Sequence, residues 1–89
     1  MNRTKRVPVT PQAVRLALEK LGDEIFRRLE TKGFGTFASS HEILGLIVQE
    51  THEFEETVHK KDPSVDELFD IAVAAIFGVA SITSGTTDW

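Results

Sequence analysis

The chain has 89 residues, a formal net charge of −4 and no cysteine. That length fits a single domain with a limited core, for which oligomerisation is a ready source of further stability. Without cysteine, disulfides, thiolate metal sites and a cysteine nucleophile are excluded, which agrees with a cytoplasmic protein, and net acidity argues against nucleic-acid binding.

Charge is unevenly spread. Residues 1–32 carry eight Lys/Arg against four Asp/Glu, and residues 33–89 carry two against ten. The pattern predicts an acidic second half preceded by a basic segment, either a solvated tail or a source of cations for phosphate.

Met1–Val9, MNRTKRVPV, lacks a helical period and reads as a flexible tail. No signal peptide is expected, because VPVTPQ rather than an apolar run follows the basic start. Thr10-Pro11 then forms an N-cap with Pro at the first helical position. Val14, Ala17, Leu18, Leu21, Ile25, Phe26 and Leu29 keep the helical spacing, and Lys32-Gly33 marks the stop. Gly33–Ser39 is a loop whose Phe34 and Phe37 either plug the core or stack on a planar ligand such as a nucleobase.

Ser39 and Glu42 make a capping box that opens a second helix running to about His59. Its apolar side is Ile43, Leu44, Leu46, Ile47, Val48, Phe54 and Val58. At roughly 100° per residue, Glu50 falls inside that apolar arc and Glu53 at its edge, whereas Glu55 and Glu56 read as solvated. A carboxylate aimed at a core is costly unless paired or metal-bound. Lys60–Ser64, KKDPS, is a turn, and Ser64 with Glu67 forms a second box.

The third helix, Val65–Ile82, is apolar almost all round, as a buried central helix would be. Its exception is a strip of Glu67, Asp70, Ala74, Gly78 and Ser81, whose small residues admit either a close helix or a ligand. The longest apolar stretch, Leu68–Ile82, contains Asp70 and falls short of the roughly 20 residues a membrane span needs. Residues 83–89 read as a C-terminal tail that ends in Trp89. The expected fold is all-α: three main helices, with an antiparallel pair forming a bundle core completed by oligomerisation.

Two acidic motifs flank the turn: Glu50-x-x-Glu53 and Glu67-x-x-Asp70. Residues three apart share a helix face, so an antiparallel fold-back brings four carboxylates together. Such a group repels itself unless protonated or bridged by a cation. Oxygen donors of this kind suit Mg²⁺, with Mn²⁺ an alternative. Glu50, Glu53, Glu67 and Asp70 are therefore the expected metal ligands.

With their spacing and the segments QETHEF and ELFDIAVAAIFGVAS, these motifs resemble the signature of the all-α nucleotide pyrophosphohydrolases. That superfamily includes MazG-type enzymes, dimeric dUTPases and phosphoribosyl-ATP pyrophosphatases, and the resemblance covers about residues 39–82. It implies a homodimer or homotetramer with the metal inside the helix bundle. It also implies Mg²⁺-dependent hydrolysis of a nucleoside triphosphate or related nucleotide to monophosphate and pyrophosphate, with Glu50 or Glu53 as the base. The chain departs from the pattern at Gln49, where many members carry Glu, and has no Lys or Arg after Lys61. The charge for phosphate would then come from Arg27, Arg28, Lys32 or Lys60, or from a neighbouring subunit, with Phe37 for a base.

Two other readings compete. His52, Glu56 and His59 share a helix face, and Glu56-x-x-His59 matches one element of di-iron bundles, which a symmetric dimer would complete. A non-catalytic helical oligomer with a binding or regulatory role is the other. No Walker-type phosphate loop or Ser/His/Asp pattern points to a further enzyme class.

Overall fold

The computed structural model describes residues 6–32, 37–85 and 87, apart from the side chain of Lys32. Three helices make up the fold: α1 (Pro11–Lys32), α2 (Ser40–His59) and α3 (Val65–Thr83). No strand occurs among the described residues.

Each helix begins where its cap residue dictates. The Thr10 hydroxyl accepts from the Ala13 amide at 3.1 Å, opening α1 with Pro11 at its first position. Ser39 accepts from the Glu42 amide at 3.2 Å to open α2, and Ser64 from the Glu67 amide at 3.2 Å to open α3. The α2 box closes one residue early, because the Glu42 carboxylate accepts from the Ala38 amide rather than from Ser39.

The turn after α2 uses the paired bonds of a Schellman motif: the Lys61 amide donates to Val58 O and the Asp62 amide to Thr57 O. This places Lys61 in the left-handed region, at φ 60°, a position usually filled by glycine. Five residues then suffice to reverse the chain. The reversal makes α2 and α3 antiparallel: Ile43 packs on Gly78, and the Phe37 amide reaches the Ser81 hydroxyl.

The core lies along this α2–α3 seam. Ile43, Val73 and Ala74 are its buried apolar residues among those described, with Gly78 and Ser81 beside them. The small residues of α3 thus serve close helix approach. An added Cβ on Gly78 would stand 2.9 Å from Cγ2 of Ile43.

Burial is otherwise sparser than the helical patterns predict. Leu44, Val48 and Val58 of α2 are exposed, as are Val65, Leu68, Ile76, Val79 and Ile82 of α3. α3 is therefore central in sequence pattern but covered on one side only. α1 lies against α3 through its second half; Leu21, Ile25 and Leu29 are half-buried, while every residue from 11 to 20 is exposed. Val14, Leu18 and Phe26 accordingly remain uncovered, although Val14 and Leu18 continue the stripe of Leu21 and Ile25. Phe34 and Trp89 fall outside the described residues. No described helix is long and apolar enough to cross a membrane.

Gly78→Ala should lower stability by roughly 1 kcal/mol, since overpacking costs about 1–3 kcal/mol and the gain in helix propensity returns about 1 kcal/mol. In an Ile43→Ala background the clashing methyl is gone, so the same change should be stabilising. Urea midpoints for the four proteins check this reversal of sign; equal effects in both backgrounds would contradict the packing.

Candidate metal centre

The antiparallel seam decides what happens to the acidic motifs. Glu50 and Glu53 stand one turn apart on α2, and Glu67 and Asp70 one turn apart on α3. Facing each other, the four half-buried residues each offer an oxygen, and these atoms all lie within 4.8 Å of one another.

Two observations describe how the quartet carries its charge. Oε2 of Glu50 and Oε2 of Glu67 are buried without a hydrogen-bond partner. Burial, reinforced by the neighbouring charges of Glu53 and Asp70, pushes the Glu50 carboxyl above the usual glutamate range. Glu67 shifts the same way, through burial first and then the charges of Asp70 and Glu53.

One guanidinium reaches the quartet from α1. Arg28 donates from Nη2 to Oδ1 of Asp70. Its Nε donates to Oε1 of Glu24 at 2.9 Å, while Arg27 holds both oxygens of that same carboxylate. Hydrogen bonds from the two arginines lower the Glu24 pKa to about 2. Glu24 thus orients Arg28, a role its place three and four residues before two arginines could have signalled.

Beside Asp70, α1 and α3 enclose a cleft of about 500 Å³. Lys20, Arg27 and Arg28 line it together with acidic residues and the ring of Phe69. Neither Lys20 nor Phe69 stood out in the sequence, because only the docking of α1 brings them near the quartet.

The remaining expected substrate residues lie elsewhere. Lys60 caps α2, seven residues beyond Glu53 and so about 10 Å further along the helix. It shares an exposed recess with His52, Glu55, Glu56 and His59. Phe37 sits by Ser81, eleven residues from Asp70, or about 16 Å along α3. The Lys32 side chain lies outside the described residues. As for the di-iron alternative, His52 is 3.4 Å from Glu55 and 3.3 Å from Glu56 on an exposed face. Among the described residues, His52, Glu56 and His59 do not converge as a ligand group, whereas the quartet does.

The quartet fits a hard divalent cation. Its donors are all carboxylate oxygens, two of them buried and unpartnered. Oxygens about 2.1 Å from one Mg²⁺ stand at most about 4.2 Å apart, so closing from 4.8 Å requires only side-chain adjustment. No family model, curated protein or solved structure matches the chain, so this assignment rests on its own residues.

These titrations set a pH dependence. Glu50 and Glu67 hold protons more tightly when folded, so they make the metal-free protein less stable as pH rises above about 4.3 through their raised pKa values. Glu24 acts oppositely: its contribution is present above about pH 4.3 and is lost as pH falls toward 2. In EDTA, Tm should therefore be higher at pH 5 than at pH 7.5. At pH 7.5, Glu50→Gln should raise it by roughly 4 °C or more, equivalent to about 1 kcal/mol at this size. Mg²⁺ should raise the wild-type Tm at pH 7.5 and leave that of Glu53→Gln nearly unchanged, as differential scanning calorimetry would report.

Proposed function

We propose that the chain is a Mg²⁺-dependent nucleotide pyrophosphohydrolase that works as a homo-oligomer. The supporting observation is a quartet of carboxylates with two buried oxygens left unpartnered, on a seam that would hold them in place. The choice of reaction comes from the resemblance of the two acidic motifs and their flanks to the all-α pyrophosphohydrolases.

Bound Mg²⁺ would neutralise phosphate charge and make the attacking water more acidic. Glu53, Glu67 and Asp70 would hold that ion, and Glu50, whose raised pKa makes its ionised carboxylate the stronger base, would take the proton from water. The water oxygen bonds to the α-phosphorus, and the α–β bridging oxygen leaves with pyrophosphate. Arg28, already poised at Asp70, meets the phosphate chain from the side of the α1–α3 cleft. A cleft of this size accommodates a nucleotide.

The uncovered surface supports the oligomer. Val65, Leu68, Ile76, Val79 and Ile82 lie along α3 with no charged residue among them. No described side chain is fully buried. A second copy packed on this stripe would give the chain the core that three buried apolar residues do not.

A screen of canonical and modified triphosphates with Mg²⁺ should reveal pyrophosphate release from at least one. Glu50→Gln and Asp70→Asn should each reduce kcat/KM by about 10²–10⁴-fold. Silence across the screen, with no Mg²⁺ stabilisation, would leave the non-catalytic oligomer instead. Light scattering should report at least twice the chain mass of 9.9 kDa, and Val79→Glu should shift the protein toward monomer.

A further inference from the structure

We infer that Thr57 is a positioning residue for the quartet: its hydroxyl caps the Ser64 amide in place of Glu67, which leaves the Glu67 carboxylate to face Glu50, Glu53 and Asp70. The inference deepens the metal-centre reading and rests on it for its functional meaning.

A Ser-x-x-Glu box normally uses two reciprocal bonds. At the start of α3 the first is made, from the Glu67 amide to the Ser64 hydroxyl. The second would run from the Ser64 amide to the Glu67 carboxylate. Instead that amide donates to Oγ1 of Thr57 at 3.1 Å. The Thr57 hydroxyl donates its own proton to Phe54 O at 2.7 Å, so its lone pair is free to accept from Ser64. The Ser64 amide is thus satisfied without the Glu67 side chain.

The chain contains its own comparison. The α2 box, Ser39 to Glu42, has the same sequence spacing. There the Glu42 carboxylate folds back and accepts from the Ala38 amide at 3.2 Å, tied to its own helix start. Glu67 makes no such bond; its Oε2 is buried without a partner and its carboxylate stands in the quartet. Two structural differences accompany this: the Ser64 amide is taken by a hydroxyl from Thr57, seven residues earlier and across the turn, and Pro63, at the position of Ala38, has no N–H to hold the carboxylate.

Thr57→Val keeps the side-chain shape and removes the acceptor. The Ser64 amide is then open to Glu67, the reciprocal bond of such a box, and the quartet is reduced to three. Mn²⁺ titration should show affinity lowered at least tenfold in Thr57→Val and nearly intact in Thr57→Ser. A crystal structure of metal-free Thr57→Val should show the Glu67 carboxylate on the Ser64 amide. A residue that only steadies the turn would lower Tm and leave both readouts as in the wild type, and that result would overturn the proposal. If the valine variant does not fold, Thr57→Ala carries the same two expectations. A crystal structure of the wild type with Glu67 already on Ser64 would also overturn it. Absence of Mn²⁺ binding by the wild type would sink the metal centre itself, while the position of Glu67 in the variant still decides the role of Thr57.

Discussion

The close approach of α2 and α3 is the constraint from which the rest follows. Gly78 has no side chain, so Ile43 can rest directly on the α3 backbone. At that separation the carboxylates farther along the seam cannot avoid one another, and four of them share one small volume. Packing energy at the Ile43 end therefore holds together charges that repel at the other. Burial pushes Glu50 and Glu67 toward their protonated forms, which is the chain's own relief when no cation is present. A divalent ion offers the larger relief, because it satisfies the buried oxygens as well as the charge.

Local chemistry made the helices legible. Thr10-Pro11, Ser39 and Ser64 set three helix starts, and the cap bonds are found at all three. The i, i+3 spacing of the acidic motifs, combined with a five-residue turn, was enough to place four carboxylates on one seam. What the sequence left open was the fate of Glu67, since a capping box and a site residue carry the same letters. In the structure the Ser64 amide goes to Thr57 instead, a bond that depends on the path of the turn. The left-handed Lys61 was equally hidden, because glycine is the usual marker of that conformation.

Long-range placement was the least legible part. Arg28, Lys60 and Phe37 were grouped by charge and type, yet only Arg28 reaches the quartet. Lys60 belongs to the turn and Phe37 to the far end of α3, and helix length alone separates them from Asp70. Periodicity also reports that a residue will be buried without reporting by what. Val14, Leu18, Val79 and Ile82 keep the spacing of core positions but remain exposed within one chain. Their pattern is consistent with a core shared between copies, which would leave the sequence locally coherent and the isolated chain incomplete.

The arrangement of charge around Arg28 ties these levels together. α1 is lightly packed, with its first ten residues exposed, and Arg28 joins it to the pair formed by α2 and α3. Glu24 holds the guanidinium from one side and Asp70 from the other. A single positive charge against four carboxylates neutralises only part of the quartet, so Arg28 does not substitute for a divalent ion. It does put a guanidinium of α1 at the edge of the acidic quartet. On the reading proposed above, an incoming phosphate would meet that guanidinium beside Asp70, where the α1–α3 cleft also gathers Lys20 and Arg27.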